Sequence, residues 1–448
     1  MTPISRILVV GGGNVGMYVA LRLQRRLRRE LKQGKVGITV ADLDSYMTYQ
    51  PFLPEAAAGN LEPRHVVVSL RKVLNRCRIL SGRICDIDLA GKSARFEPPE
   101  GPQKVLEYDY LVFCPGSITK TMPIPGLAEH GIGFKTVEES IHLRNHILGK
   151  LDTAASTDDP EVRARALTFV FVGAGFAGVE ALAELEDMTA DACRYFHGIN
   201  RDSMRWILIE ASDRILPEVG TSLGEWTADE LRKRGIEVRL NTRLKSVEHD
   251  VVVLDDGESF PCETLVWTAG VKANPLVQHL PPGDRGRVSA SAELLIDGTD
   301  YAFAAGDSAA VPDLTQPGRF CPPNAQHAVR QSKVLADNLI ATIRGKKRTP
   351  YRHKNAGSVA SLGLHKGVAN VYGLQVRGFP AWFMHRTYHL TRMPTFNRKA
   401  RILMDWTLAL FFKREVVALG ALARPREEFE YAIRTEDATS NPRPPADR

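Results

Sequence analysis

The sequence predicts an α/β protein with two parallel-sheet domains and a C-terminal α+β region. Three observations support this fold class: a glycine-rich strand–turn–helix pattern near residue 11, a second copy near residue 173, and a change of pattern after Pro350. The 448 residues are 44% hydrophobic and 25% charged, which suits a large core shared by two or three domains.

The first pattern begins with an apolar strand at residues 7–10. Gly11, Gly13 and Gly16 then form GxGxxG, in which the glycines allow a tight turn, a close approach of pyrophosphate and close helix–strand packing, respectively. The N-terminus of the next helix offers free N–H groups to phosphate. The following strand ends at Asp42, whose carboxylate can accept both hydroxyls of an adenosine ribose. This order predicts a Rossmann-like dinucleotide-binding domain.

The second pattern repeats the first. Gly173, Gly175 and Gly178 follow another apolar strand, and Glu210 ends the strand after the helix. Two complete fingerprints indicate two bound dinucleotides, or one dinucleotide and a relic site. Glu210 would repel the 2′-phosphate of NADPH and therefore favours NADH, although Arg214 stands nearby.

Two further segments complete the first domain. Residues 108–117 read as a strand that leaves the domain through a turn containing Gly116, and residues 300–311 contain a strand that ends at Asp307. A carboxylate on such a turn, beside the first fingerprint, suits the ribityl–phosphate portion of a flavin. The alternative is a turn residue or a helix cap.

Charge and cysteine content narrow the function classes. Between Asp337 and Asp405 the chain has 13 Lys and Arg and no Asp or Glu, whereas the rest holds 46 basic and 52 acidic residues. This asymmetry suggests nucleic acid or an anionic membrane as a partner. The six cysteines form no CxxC pair, so we expect scattered free thiols in a reducing compartment and no metal site. The N-terminus lacks the long apolar region of a signal peptide, and no run approaches the length of a spanning helix.

Together these residues resemble the flavoprotein oxidoreductases with two dinucleotide-binding domains, and most closely the type II NADH dehydrogenases, which are single-chain, non-pumping NADH:quinone oxidoreductases. The resemblance covers residues 5–415. It rests on the segments YQPFLPEAAAG (49–59), GAGFAGVE (173–180), WTAGV (267–271), AAGDSA (304–309), PPNAQHA (322–328) and GSVASLG (357–363). The chain departs from the family pattern at Cys114, Asn324, Arg330 and the Leu-Pro-Glu run at 53–55.

The resemblance implies FAD in an N-terminal domain and NADH as substrate in an inserted one. It implies four segments: an FAD-binding domain (1–115), an NADH-binding domain (116–289), a return segment of the FAD domain (290–349), and a membrane-docking region with a flexible tail (350–448). The residues expected to contact FAD are Gly11, Gly13, Gly16, Asp42, Gln50, Gly116, Asp307 and Ala325. Those expected to contact NADH are Gly173, Gly175, Gly178, Glu210 and Gly270.

Two residues carry the expected chemistry. The resemblance places Gln326 against the quinone headgroup and links Glu180 to the nicotinamide side and to proton handling; a buried carboxylate with a raised pKa can pass protons to a reduced quinone. Gln326 could instead belong to an ordinary amphipathic helix beginning near Ala325, and Glu180 could complement a helix dipole. His327 could be a proton relay or a packed core residue.

The basic region after Pro350 first reads as a short sheet and then as two helices, near residues 380–390 and 398–412. On the second helix Leu403, Trp406 and Leu410 are expected on one face. Aromatic residues and cations without a continuous apolar span suit a helix lying in a membrane interface. The alternative is a solvated basic face whose aromatic residues are buried against the first domain or a second subunit.

These observations lead to one function and two alternatives. We expect a peripheral NADH:quinone oxidoreductase on the cytoplasmic face of the cell membrane, with a membrane quinone and anionic lipid as partners and a homodimer as a possibility. A sulfide:quinone oxidoreductase would need a cysteine pair, for which Cys114 and Cys321 are the only candidates. A redox sensor that binds NADH with little turnover is the other alternative. Nucleic-acid binding is not expected, because no stacking platform or helix-turn-helix pattern accompanies the charge.

Overall fold

The computed structural model describes residues 5–419 together with Arg426, Glu430 and Tyr431. The flexible tail predicted past Ala438 lies outside the described residues. No helix in the described part is long and apolar enough to cross a membrane.

The first sheet has five parallel strands. In spatial order they are Ala302–Ala304, Tyr110–Phe113, Ser5–Val10, Val36–Asp42 and Arg78–Ser81. The central strand Ser5–Val10 is apolar and buried from Ile7 onward, as expected of a parallel strand covered on both faces. Helix Asn14–Arg26 follows it and packs against helix Ala325–Ile343, so the return segment is part of this unit.

The second sheet repeats this design. Its five parallel strands, in spatial order, are Gly131–Gly133, Thr264–Trp267, Thr168–Val172, Arg205–Ile209 and Ile236–Arg239. The helices of this part are Val137–Ser156, Pro160–Ala166, Phe176–Ala192 and Thr221–Lys233. Both predicted Rossmann-like units are confirmed.

Smaller antiparallel sheets fill the space around these two units. Their strands are Arg83–Asp88, Ser93–Glu97 and Lys104–Glu107; Leu244–Glu248, Val251–Leu254 and Ser259–Pro261; Tyr46–Thr48 with Val67–Ser69; and Ser117–Thr119 with Val271–Ala273. A short parallel pair joins Val288–Ser289 to Ala309–Ala310. The short helices are Arg28–Lys32, Leu53–Ala57, Leu70–Val73 and Leu127–His130. Strand Ser117–Thr119 follows the first parallel sheet along the chain, and strand Val271–Ala273 follows the second. The chain therefore passes between the two units twice, along this pair of strands. The bounds of the four predicted segments stay a prediction.

The C-terminal region is α+β, as predicted. A three-stranded antiparallel sheet, Gly357–Ser361, Gly367–Val371 and Leu374–Arg377, precedes helices Phe379–Arg392 and Phe396–Phe411. Leu403, Trp406 and Leu410 lie on one side of the second helix, as predicted, but they differ in burial. Trp406 turns inward and donates its indole N–H to Glu55 at 2.8 Å, while Leu403 and Leu410 point outward.

Candidate functional site

The N-termini of the two fingerprint helices are open. Gly13 and Gly175 occupy the N-cap positions of Asn14–Arg26 and Phe176–Ala192, and among the described residues no side chain accepts a hydrogen bond from the first-turn N–H groups. A Cβ at either glycine would meet no atom of the described part of the chain within 4 Å. Each turn therefore leaves room beside free N–H donors, which is the environment that a pyrophosphate needs.

Each fingerprint crosses closely over a loop from its own sheet. Gly11 has φ +100°, and a Cβ there would lie 2.3 Å from the carbonyl oxygen of Cys114. Gly173 has φ +105°, and a Cβ there would lie 2.7 Å from the carbonyl carbon of Thr268. These contacts place the loops that carry Gly116 and Gly270 directly beside the two turns.

The acids that end the second strands face their own glycine turns. Asp42 accepts hydrogen bonds from the N–H groups of Gly12 and Asp44, and burial raises the pKa of its carboxyl. Glu210 accepts the N–H of Ala174 at 2.7 Å. Arg214 turns away from Glu210, toward Asp213 at 3.1 Å and Thr221 at 3.4 Å. Arg214 was the residue that kept NADPH binding possible in the sequence analysis, and in the structure its side chain has other partners.

Three residues predicted to contact FAD lie close to Ser117 and Lys135, two residues that the sequence analysis did not indicate. The three are Gln50, Gly116 and Asp307. The hydroxyl of Ser117, next to Gly116, donates to Asp307 at 2.9 Å and accepts from the Lys135 ammonium at 2.9 Å. The Gln50 side chain donates to the carbonyl of Lys135 at 3.2 Å. Burial lowers the pKa of Lys135. Lys135 stands in no glycine motif, so only the tertiary structure reveals it.

A flavin dinucleotide fits these residues. Two buried polar atoms among the described residues have no hydrogen-bond partner at this place: Oδ1 of Asn14, directly after the first fingerprint turn, and Oγ of Ser308, directly after Asp307. A buried polar atom without a partner costs roughly 1–3 kcal/mol, so both positions are suited to a bound polar ligand. The first fingerprint and the Asp307 turn lie close together. A Cβ added at Gly306 would lie only 2.7 Å from the Val15 side chain.

Gln326 is tied to the C-terminal sheet. Its amide nitrogen donates to the carbonyl of Gly357 at 3.1 Å, and its oxygen accepts from the N–H of Ala356 at 2.9 Å and contacts Nε2 of His353 at 2.7 Å. Ala325, the first residue of helix Ala325–Ile343, is exposed. The side chain of Gln326 is therefore fixed in place through both ends of its amide.

Glu180 lies inside the protein, between the second fingerprint helix and the C-terminal region. Its carboxylate accepts the N–H of Ser361 at 2.8 Å and lies 3.2 Å from Nε2 of His385. Glu184, one turn later, accepts the hydroxyl of Ser361 at 3.0 Å and the amide of Asn60 at 3.0 Å. Burial, reinforced by the charge of Glu55, raises the pKa of Glu184 to about 7. Glu180 therefore has specific partners in the interior, Ser361 and His385, in addition to its place in the first turns of the helix.

The remaining candidate groups are less distinctive. His327 is buried and hydrogen-bonded to the Tyr351 hydroxyl at 2.9 Å, and burial lowers its pKa. All six cysteines lie in the described part and carry free thiols, with Cys114 and Cys321 both buried. Within the same part no group of three or more His, Cys, Asp and Glu is placed to hold a metal ion.

The fold and the site define an oxidoreductase with two dinucleotide-binding domains, one for FAD and one for NADH. The sequence profile described as pyridine nucleotide-disulphide oxidoreductase matches residues 5–332, and the chain belongs to that family.

Curated relatives narrow the family. A type II NADH:quinone oxidoreductase of Staphylococcus epidermidis is 30% identical over 389 residues, covering 85% of this chain and 93% of the relative. The relative named Type II NADH:quinone oxidoreductase Ndh, from Mycobacterium tuberculosis, is 29% identical over 94% of this chain and 92% of its own length. A solved structure, NDH2 of Plasmodium falciparum in complex with NADH, has a TM-score of 0.83 and 18% identity, covers 92% of this chain and 99% of its own, and supports the fold. Within the family, the chain belongs to the type II NADH:quinone oxidoreductases.

Proposed function

We propose that this protein is a FAD-dependent NADH:quinone oxidoreductase that works without ion pumping at a membrane surface, on the cytoplasmic face of the cell membrane. When bound, FAD would supply the flavin chemistry that links hydride transfer from NADH to the reduction of a quinone. The observation that carries the proposal is the pair of open glycine turns, each with an acid at the end of the next strand. One chain thereby offers two dinucleotide sites, as a hydride donor and its acceptor require.

The proposal assigns each site residue a role that its position supports. Gly13 leaves space for the FAD pyrophosphate, Asp42 takes the ribose hydroxyls, and the group formed by Asp307, Ser117 and Lys135 holds the ribityl–phosphate portion. Gly175 and Glu210 do the same for NADH. Asn324 caps helix Ala325–Ile343 by accepting the N–H of His327 at 2.9 Å, and the dipole of this helix favours negative charge at its N-terminus.

Glu180 and Gln326 form the part of the site that faces the C-terminal region. Glu180 holds a proton or a hydrogen bond near the nicotinamide side, and Gln326 orients the quinone headgroup. Both bind residues 353–361, so the C-terminal sheet fixes their geometry. For Gln326 to bind the quinone, one of its hydrogen bonds to residues 353–357 must break and be replaced by a hydrogen bond to the quinone.

Docking to the membrane is supported by the helix Phe396–Phe411. Its large apolar side chains are mostly exposed, for example Phe396 at 85% and Phe411 at 78%, and only Ile402 is fully buried. Arg398, Lys399 and Arg401 lie at the start of this helix. Apolar side chains beside cations suit the interface of an anionic bilayer, where the quinone dissolves.

Steady-state NADH oxidation tests the proposed function. The purified yellow protein is expected to oxidise NADH rapidly when a soluble short-chain quinone is supplied, and to show no bleaching of the flavin by sulfide. The free, buried thiols of Cys114 and Cys321 offer sulfide no disulfide to attack. Bleaching by sulfide would favour the sulfide:quinone alternative, and tight NADH binding without turnover would favour a sensor.

The nucleotide preference is tested by Glu210→Arg. The variant is expected to lose roughly tenfold or more in NADH affinity and to gain NADPH affinity, because it replaces the carboxylate that would repel a 2′-phosphate with a cation. The measurement is KM for each nucleotide with the same quinone. Arg214→Ala serves as the control, since Arg214 pairs with Asp213, and we expect its preference for NADH to be unchanged. An unaltered KM ratio in Glu210→Arg would contradict the assignment.

A further inference from the structure

A line of buried polar groups runs through the interior beside helix Phe379–Arg392. At one end Tyr49 is hydrogen-bonded through its hydroxyl to Nδ1 of His389 at 3.1 Å. The rings of His389 and His385 are in edge-to-face contact, with centroids 4.5 Å apart. His385 then reaches Glu180 through Nε2 at 3.2 Å.

The line continues beyond Glu180. Ser361 bridges two acids, donating its N–H to Glu180 and its hydroxyl to Glu184. Glu184 in turn accepts the side-chain amide of Asn60 at 3.0 Å. His389 is partly buried. The other members of the line are all buried: Tyr49, His385, Glu180, Ser361, Glu184 and Asn60.

Tyr49, at one end of the line, and Glu180, within it, lie beside predicted cofactor contacts. Tyr49 precedes Gln50, which is expected to contact FAD, and Glu180 follows the second fingerprint by two residues. The two imidazoles in the middle come from the C-terminal region. The line therefore connects the dinucleotide-binding core with the part of the chain proposed to meet the membrane.

The two histidines are poorly explained by packing alone. His385 is only 2% exposed, and its Nδ1 has no hydrogen-bond partner among the described residues. A buried unpaired nitrogen costs roughly 1–3 kcal/mol, which an apolar side chain of similar size would avoid. An imidazole differs from such a side chain in that it can take a proton at one nitrogen and release one from the other.

The charged groups near the pair include Glu180, Arg386 and Arg392. Arg386 turns to Glu55 at 2.8 Å instead of to either imidazole. Burial, together with His385 and Arg392, lowers the pKa of His389 well below its usual value. His389 is thus neutral at physiological pH, with one ring nitrogen able to donate a hydrogen bond and the other able to accept one.

We propose that His385 and His389 relay protons to and from Glu180 during quinone reduction. The inference rests on the proposed function. In that reaction NADH, one proton and the quinone give NAD⁺ and the quinol: the hydride supplies two electrons and one hydrogen, and the second hydrogen comes from water as a proton. The two histidines are positioning and proton-relay residues, since they act through Glu180.

His385→Gln and His389→Gln test the relay in the purified holoenzyme. Glutamine can still donate a hydrogen bond but cannot carry a proton at neutral pH. With a soluble quinone, kcat is expected to fall at least tenfold at unchanged KM for NADH, since positioned proton transfer typically contributes about 10²–10⁴-fold. With ferricyanide, which takes electrons and no proton, turnover is expected to stay within about twofold of the unsubstituted protein.

The pH profile gives a second readout. The drop in quinone turnover is expected to deepen as pH rises and protons become scarce, and the solvent deuterium isotope effect to increase. His365→Asn, an exposed histidine of the same region, is the control and is expected to leave both acceptors unaffected.

Four outcomes distinguish the relay from the proposed function. Loss with quinone alone supports the relay. Equal loss with both acceptors, or full quinone activity in both variants, overturns it. Reduction of ferricyanide but not of any quinone by the unsubstituted protein would instead overturn the proposed function.

Discussion

A protein carrying Gly13→Ala is expected to purify with little FAD, whereas one carrying Gly175→Ala keeps its FAD and loses most of its NADH affinity. Neither new methyl group meets an atom of residues 5–419 within 4 Å, and both glycines have negative φ, −66° and −73°. Alanine is therefore compatible with both turns in the ligand-free protein. Its methyl group would collide only with the pyrophosphate of a bound dinucleotide. A methyl group forced into that contact costs typically 1–3 kcal/mol, or roughly 5- to 150-fold in affinity.

The measurements are the ratio of flavin absorbance to protein absorbance after purification, and the NADH concentration that half-reduces the flavin. Gly16→Ala and Gly178→Ala are the contrasting pair. Their methyl groups would lie 1.8 Å and 2.0 Å from the carbonyl oxygens of Gly11 and Gly173, so the loss should appear as thermal instability. Stoichiometric FAD in Gly13→Ala, or unchanged half-reduction in Gly175→Ala, would refute the assignment of the two turns.

The parts of the fold that the sequence predicted are those governed by local rules. A glycine turn between a buried strand and a helix is specified by a few adjacent residues, and both units appear where their GxGxxG motifs stand. Helices Ala325–Ile343 and Phe379–Arg392 begin within one residue of the predicted positions. In these cases the chain supplies the capping residue or the change of periodicity itself.

The parts that the sequence did not predict depend on distant contacts. Lys135 reaches Ser117 and the Asp307 turn only because two strands bring segments from both units together. Likewise, the position of Ser361 between Glu180 and Glu184 joins residues about 180 positions apart. No local pattern encodes such a contact, although the serine lies in one of the segments that carried the family resemblance.

The orientation of Trp406 shows a different limit. The helical period correctly relates Leu403, Trp406 and Leu410 by angle, but it does not say which edge of their stripe faces the protein. Glu55 decides this, because the buried carboxylate accepts hydrogen bonds from both Trp406 and Arg386. The exposed apolar surface of the helix therefore includes Met404, Leu408 and Phe411, which were not part of the predicted face.

Replacing Met404, Leu408 and Phe411 with serine is expected to abolish binding to vesicles of phosphatidylcholine and phosphatidylglycerol. The three positions follow an i, i+4, i+7 spacing and are 63%, 52% and 78% exposed. Burying such side chains in an apolar environment contributes roughly 1.5–3 kcal/mol each, about 5 kcal/mol together, or more than a thousandfold in partitioning. Flotation through a density gradient measures the bound fraction.

The matched control replaces three equally exposed apolar residues outside the C-terminal region, Val105, Met122 and Tyr195, with serine; it is expected to float like the unsubstituted protein. High salt separates the two contributions, because it screens the cations Arg398, Lys399 and Arg401 but not the apolar stripe. If the apolar stripe is a subunit interface instead, the triple variant will float normally and sediment as a smaller particle. Loss of flotation at unchanged sedimentation, with turnover of a soluble quinone preserved, is the result that only a membrane-facing helix produces.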